Sequence, residues 1–349
     1  MNRKDQHADL ANAFFQAGPN DFDLIRLVHT GFPEMALAET DLTTEILDTK
    51  LTAPFFINAM TGGSDMTREL NHKLATVAKA TGLMMATGSV SAALKDPTTA
   101  DSFTIVRETY PEGFLVANIG AGSSVTDAQR AVDLFEANAL QVHVNVPQEL
   151  VMPEGDRDFR GWLSKIEAII HHVSVPVIVK EVGFGMSRET VQDLVNIGAS
   201  AIDVSGRGGT SFTQIENARR PQQELAYLQD FGQSTPESLL EALEVPQIFD
   251  LIASGGIRNA YDIYKALLLG ARACGVSGKI LHTVRNQGIE AGIQLVEGWK
   301  KQLRMLMTLT GQKNLVDLRH VPLVFSGSLL EWCENRSIDI RKYSLREPS

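Results

Sequence analysis

Residues 175–181 read Val-Pro-Val-Ile-Val-Lys-Glu, a β-branched run that ends on two charges. An unbroken apolar run of this length suits a strand buried on both faces, as in a parallel sheet covered by helices. On its N-terminal side, 162–172 carries apolar residues at helical spacing. On its C-terminal side, Ser187 stands ahead of Arg-Glu-Thr-Val as an N-cap, Gly198 closes that helix, and another apolar run opens at Ala201. That is one helix–strand–helix–strand unit, at the roughly 30 residues a βαβ repeat needs.

The same unit recurs outward in both directions. Apolar runs stand at 55–60, 83–87, 114–118, 140–144, 175–179, 201–204, 250–253 and 273–276, eight in all. Between them, 68–80 lines up Leu70, Leu74 and Val77, and 128–138 lines up Ala131, Leu134 and Phe135. The pattern predicts an α/β protein built as a closed (β/α)8 TIM barrel over residues 51–310. A doubly wound open sheet is the competitor, and eight repeats without an edge-strand signal count against it. Residues 1–50 read as an N-terminal arm with short elements and 311–349 as a polar C-terminal tail, all within one domain. The excursion at 211–246 is long enough to be a lid or a subunit contact, with a surface decoration as the plainer alternative.

Composition narrows the class. The 349 residues are 44% hydrophobic and 21% charged, with a net charge of −10, as expected for a globular chain rather than a disordered one. The acidic balance counts against a nucleic-acid partner. No apolar stretch approaches the length of a membrane span, so no membrane partner is expected. The first residues lack the apolar core of a secretory signal, and two cysteines, Cys274 and Cys333, make no disulfide framework. A cytoplasmic enzyme fits, and symmetric self-association into a homo-oligomer, a tetramer or octamer, is expected.

In a barrel the site lies where the strands end, and those ends are polar or glycine-rich here. They read Ala59-Met-Thr-Gly-Gly63, Thr87-Gly-Ser89, Asn118-Ile-Gly120, His143-Val-Asn145, Lys180-Glu181, Ser205-Gly-Arg-Gly-Gly-Thr210, Ser254-Gly-Gly256 and Ser277-Gly278. The last two loops each open a helix and suit a phosphate held on backbone N–H groups. Neither Walker spacing nor Gly-x-Gly-x-x-Gly is present, so FMN fits better than ATP or a dinucleotide. Lys180 would then sit by the flavin's pyrimidine edge, with Asn118 and Ser89 bonding the ring and Met60 against it; a snorkelling surface lysine is the alternative. Glu149 could be one Mg²⁺ ligand beside substrate phosphate oxygens, though a loop-capping Glu149 and a core His143 would each suffice singly. Arg3, Lys4 and His7 could clamp a diphosphate if the arm folds over the mouth; otherwise they are a frayed terminus.

Six motifs converge on one family. They are Arg-Lys-x-x-His at 3–7, Ala-Met-Thr-Gly-Gly at 59–63 and His-x-Asn-x-x-Gln-Glu at 143–149, then Val-Met-Pro-Glu-Gly-Asp-Arg at 151–157, Lys-Glu-Val-Gly-Phe-Gly at 180–185 and Ser-Gly-Arg-Gly-Gly-Thr at 205–210. Together they resemble the type 2, FMN-dependent isopentenyl diphosphate isomerases. The resemblance implies interconversion of isopentenyl and dimethylallyl diphosphate with reduced FMN, NADPH as reductant and Mg²⁺. By position, it implies FMN contacts from Ala59, Met60, Thr61, Ser89, Asn118, Lys180, Ser205, Thr210, Gly256, Ile257, Arg258, Ser277 and Gly278. It implies substrate contacts from Arg3, Lys4, His7, His143, Asn145 and Gln148, Mg²⁺ at Glu149, and a catalytic role for Gln148. Flavin N5 is read as the main proton donor, with Gln148 and water on the return transfer. The chain departs from the family at Ser89-Val90-Ser91, where Ser-Gln-Arg is common, and at Phe231, where Trp is frequent. Two other readings stay open: an FMN oxidoreductase of the 2-hydroxy-acid or dihydroorotate type, which would want a His or Cys after strand six, and an RNA-modifying flavin barrel, which the charge disfavours.

Overall fold

The computed structural model describes residues 3–15 and 18–347, leaving aside the side chains of Arg3 and Lys4. Eight parallel strands close into a barrel. They are β1 (Phe55–Ile57), β2 (Met85–Ala86), β3 (Leu115–Gly120), β4 (Ala139–Val144), β5 (Val177–Glu181), β6 (Ala201–Asp203), β7 (Asp250–Ser254) and β8 (Ala273–Val276). The ring shuts where Cys274, Gly275 and Val276 of β8 pair with Phe55, Phe56 and Ile57 of β1. The predicted barrel is therefore observed, and the open sheet is not.

Strand bounds differ from the apolar runs in both directions: β1, β2 and β6 stop short of theirs, whereas β3, β5 and β7 run past. β3 continues to Gly120 and β5 through Lys180 and Glu181, so Lys180 belongs to its strand rather than following it. There Lys180 stands in register between His143 and Asp203. Alternate strand residues point into the barrel. Phe56, Met84, Ala86, Val116, Ala139, Ile178, Ala201, Ile252 and Ala273 form an apolar lower layer. A hairpin, Thr44–Ile46 with Thr49–Leu51, plugs the floor with Ile46 and Leu51. Two residues up the strands, the inward positions turn polar: Asn58, Asn118, Gln141, Lys180, Asp203 and Ser254 are all buried.

The segments between strands carry the outer helices, and two differ from expectation. The helix expected at 128–138 runs Val125–Asp133, because Ser124 Oγ caps Asp127 N–H and the chain has turned to positive φ by Glu136. The 211–246 excursion divides. Phe212–Ala218 is an added helix, whereas Thr235–Ala242, opened by a Ser234/Glu237 capping box, is a buried helix of the barrel wall.

The segment expected to be a polar tail is built into the molecule. Leu323–Phe325 pairs antiparallel with Ile25–Leu27, and the helix Gly327–Asn335 buries Leu329 and Cys333. The segment does carry one apolar run, Val321-Pro-Leu-Val-Phe325, but as a ninth run it stands outside the barrel repeat. No helix among the described residues is long and apolar enough to cross a membrane.

Candidate active site

The phosphate-type loops meet backbone on backbone. Gly255 has φ +89°, and a Cβ there would lie 2.0 Å from Gly206 O; a Cβ on Gly209 would lie 2.8 Å from Gly256 N. Only glycine lets the loops after β6 and β7 approach this closely. Thr235 Oγ1 locks the junction by donating to the Ser254 and Gly255 carbonyls, both at 2.7 Å. At the neighbouring helix Gly278–Gln287, Ser277 makes no side-chain cap bond. A Cβ on Gly278 would stand 3.3 Å from both Thr210 Oγ1 and the Phe15 ring. Thr210, Gly256, Ser277 and Gly278 thus line one cradle, in which the N–H groups of Gly278–Gln287 are left without a side-chain cap and suit an anion, whereas the helix after β7 is capped by Asn259 and does not.

Arg258 is placed differently from its expected cofactor role. Its backbone N–H and Nε donate to Asp262 Oδ2, Nη1 to Gly18 O and Asp23, and Nη2 to Asp23 and Asp262. The guanidinium is a strut behind the cradle, holding the arm, and its charge brings Asp23 down to about 2. Ile257 is buried beside it.

At the mouth, Lys180 Nζ donates to Glu181 O (2.7 Å), Ser205 Oγ (2.9 Å) and Ser254 Oγ (3.3 Å), and lies 3.5 Å from Asp203. It is a buried strand residue and not a snorkelling one. Asn118 gives Nδ2 to Gln141 and accepts His143 Nδ1 at 2.8 Å. Ser89 Oγ is 2.9 Å from Ser91 Oγ. After β1, Ala59 N–H donates to Asn58 Oδ1, Met60 packs on the core, and Thr61 Oγ1 is buried with no hydrogen-bond partner among the described residues, as is Thr87 Oγ1. The orphaned Thr61 hydroxyl at the end of β1, in the same barrel that carries Lys180 and the anion cradle, is a group that a flat, heteroatom-rich ring carrying a phosphate would satisfy. The residues present fit FMN.

A second cluster assembles where β4 exits. Gln148 Nε2 donates to Glu216 Oε1 (3.1 Å), His7 Nε2 lies 3.0 Å from that same oxygen, and Arg219 holds Oε2 at 2.5 Å. Glu216 is fully buried. Burial alone would raise its carboxyl, but His7, Gln148 and Arg219 outweigh that and hold it below the ordinary carboxylate range. Asn145 Nδ2 bonds Gln148 Oε1 (3.2 Å) and Glu149 Oε1 (2.9 Å). The 151–157 motif has a visible purpose here. Gly155 closes on Glu149, Asp156 N–H donates to Glu149 Oε2 (2.9 Å), and Glu154 pairs with Arg219.

The arm does fold over the mouth. Helix Arg3–Ala13 and the residues just after it are tied to two helices of the barrel: Ser64 Oγ, at the N-cap of Asp65–Thr81, donates to Asp5 (2.5 Å), and in Gly278–Gln287 Arg285 donates to Ala8 O (2.9 Å) and pairs with Asp9 while His282 stacks on Phe15. His7 is thereby carried to Glu216. The side chains of Arg3 and Lys4 lie outside the described residues.

Sequence reasoning missed Asn58, Gln141, Asp203, Glu216 and Arg219. Three of these carried a signal. A polar residue at an inward position of an apolar strand, such as Gln141 two before His143, marks an interior polar layer. Glu216 sits in the added helix, whose docking no local pattern reveals.

Residues 124–323 match the family model described as FMN-dependent dehydrogenase. The chain is 47% identical to an isopentenyl-diphosphate delta-isomerase of Staphylococcus haemolyticus (strain JCSC1435) and 48% to one of Latilactobacillus sakei subsp. sakei (strain 23K), over 97% of each chain. Among solved structures, a mandelate oxidase variant with a monooxide FMN adduct superposes with TM-score 0.65 over 92% of both chains, at 19% identity. That likeness is one of fold. With near-complete coverage by relatives of one name, a matching flavoprotein model and a mouth that fits FMN, the chain belongs to the FMN-dependent family of isopentenyl-diphosphate delta-isomerases.

Proposed function

We propose that this enzyme interconverts isopentenyl and dimethylallyl diphosphate by a 1,3-proton shift, with reduced FMN at the mouth, NADPH as the reductant that prepares it and Mg²⁺ on the diphosphate. The observation that carries the reading is the convergence of Gln148, Glu216 and His7 under an arm folded across the mouth. Protonating an unactivated alkene leaves a tertiary cation that water would capture, so the site must be closed. The arm and its three anchors provide that closure.

Bound reduced FMN would supply an electron-rich ring able to exchange a proton with the alkene. The chain's residues do the rest. Ala59, Met60, Thr61, Ser89, Asn118, Lys180, Ser205, Thr210, Gly256, Ile257, Ser277 and Gly278 would hold the cofactor, with Lys180 opposite negative charge on the ring. Gln148 cannot act as a free acid, since an amide has no suitable pKa. Hydrogen-bonded to a buried carboxylate, it is placed to orient a water or the substrate and to pass a proton along toward Glu216. Arg3, Lys4, His7, His143 and Asn145 would meet the diphosphate.

The donor set suits Mg²⁺ only in part. Both oxygens of Glu149 already accept one hydrogen bond each, and no group of three or more His, Cys, Asp or Glu could hold a metal among the described residues. The metal would therefore be shared between Glu149 and substrate oxygens. Mg²⁺ is expected to bind weakly to the FMN enzyme alone and tightly with diphosphate present, and Glu149→Gln should raise the Mg²⁺ needed for half activity at least tenfold, read by titration calorimetry and activity. Equal Mg²⁺ affinity with and without diphosphate would contradict the shared site.

The oxidoreductase reading has less support, because the loop after β6, which contains Ser205-Gly206-Arg207, offers no His or Cys to activate a substrate. An anaerobic assay separates them: many turnovers of isopentenyl diphosphate per NADPH consumed support the isomerase, and one oxidised substrate per reduced flavin overturns it. A cytoplasmic homo-oligomer, tetramer or octamer, belongs to the same reading; exposed Phe32, Met305 and Leu309 support it, and sedimentation of the full chain tests it.

A further inference from the structure

Below the mouth, buried polar side chains run in one hydrogen-bonded line across the barrel, and its direction is set at one end. The Asp203 carboxylate accepts from Asn58 Nδ2 (2.9 Å), Ser254 Oγ (2.6 Å) and Ser205 N–H (3.2 Å), with Lys180 Nζ 3.5 Å away. A carboxylate only accepts, so it dictates which end each neighbour presents. Asn58 must turn its amide nitrogen toward Asp203. Its oxygen then faces the other way, where the Ala59 backbone N–H donates to it at 2.9 Å, so this orientation is imposed twice.

The consequence passes along the line. With Asn58 Oδ1 accepting, Gln141 has to offer Nε2 (2.9 Å), which turns Gln141 Oε1 toward Asn118 Nδ2 (3.1 Å). Asn118 then meets His143 with its oxygen, 2.8 Å from Nδ1. An amide oxygen cannot donate, so the hydrogen must be on Nδ1.

We infer that Asp203, acting through Asn58, Gln141 and Asn118, holds His143 in the Nδ1–H tautomer, which makes these four positioning residues for the imidazole. Asn58 and Gln141 are fully buried and Asn118 is 3% exposed, so water does not compete to turn them. Any one amide reversed alone would set oxygen against oxygen or donor against donor in a dry interior. The tautomer a histidine adopts follows the bond made by its other nitrogen, and here that bond is anchored across the width of the barrel. With the hydrogen on Nδ1, the lone pair is on Nε2. This nitrogen lies over Gly120, where a Cβ would stand 3.4 Å from it. That Nε2 serves a diphosphate or its metal rests on the isomerase reading; the tautomer does not.

The test is a two-bond ¹H–¹⁵N correlation spectrum of the FMN-loaded full chain labelled with ¹⁵N-histidine, recorded above the pH at which the imidazole titrates. The His143 signals are those lost in His143→Gln. The expected pattern has the proton on Nδ1. Gln141→Met keeps the bulk but removes the amide, and it should shift the population toward Nε2–H, the form that histidine side chains favour in water. Should that variant fail to fold, Asn58→Leu removes the amide that relays Asp203 to Gln141 and should produce the same shift. An Nε2–H pattern in the unaltered protein would overturn the inference, as would an unchanged tautomer in either variant, since Asn118 would then be acting alone. Activity measured on the same samples keeps the two claims apart. An isomerase carrying Nε2–H sinks the tautomer only, and an Nδ1–H protein without isomerase activity sinks the function only.

Discussion

Lys180 and Asp203 bring opposite charges to a barrel interior where the aspartate is fully buried and the lysine nearly so. Such a pair costs much desolvation, and removing one partner leaves the other uncompensated, typically a loss of about 3–5 kcal/mol. Lys180→Met should therefore lower the melting temperature and FMN retention together. Adding Asp203→Asn to it should recover much of the stability but not the FMN affinity, a split that separates fold from cofactor function by thermal melts and flavin titration. Glu216 gives a pH-dependent counterpart. Its carboxyl lies below the ordinary value of 4.5, so its contribution is fully present above that value and is lost as pH falls through the depressed one. Glu216→Gln is expected to cost stability at neutral pH and to flatten the acid limb of the stability curve, measured by urea unfolding from neutral pH downward.

Among the elements, helix Arg3–Ala13 stands apart because it has almost no apolar face; of its described side chains only Ala8 is buried. It is held by a few polar bonds to helices after β1 and β8, each worth about 0.5–1.5 kcal/mol. It should open far more often than the barrel does, and its amides should exchange with solvent well before those of β4 or β7 in a hydrogen-exchange time course. Deleting residues 1–13 is expected to leave the barrel folded and yellow with FMN while reducing isomerase turnover at least a hundredfold. The barrel strands were legible because a strand sandwiched between side chains of a filled barrel and a layer of helices must be apolar on both faces. The end of β5 was not, because inward Lys180 and its neighbour Glu181 read as loop polarity, and Asn58 and Asp203, though inside their runs, were not recognised as an interior polar layer. His7 was legible as a candidate. Its partner Glu216 was not, since only the docking of a remote added helix brings the two together. Arg258 shows the converse case, a residue in the expected loop whose guanidinium spends its donors on Asp23, Asp262 and Gly18.

At the level of the whole molecule, the flanking segments act as one clasp on the barrel. Ile25–Leu27 pairs with Leu323–Phe325, and Arg258 reaches back to Asp23 and Gly18 beside that clasp. Truncation after residue 310 would expose Phe22, Ile25 and the wall that Leu329 and Cys333 cover. That truncation should lower the melting temperature by about ten degrees or more and weaken FMN binding, although it removes no cradle residue; calorimetry of both proteins with and without FMN measures it. Three-residue strands this far apart in the chain leave no local pattern that would pair them.

The same clasp sets a timetable for biosynthesis. A nascent chain stalled before residue 323 presents Ile25–Leu27 with nothing to bond to, and one stalled before residue 273 leaves β1 as a bare sheet edge besides. Residues 25–27 therefore wait until 323–325 have been made, and for that interval the incomplete polypeptide offers chaperones and its own copies an adhesive border.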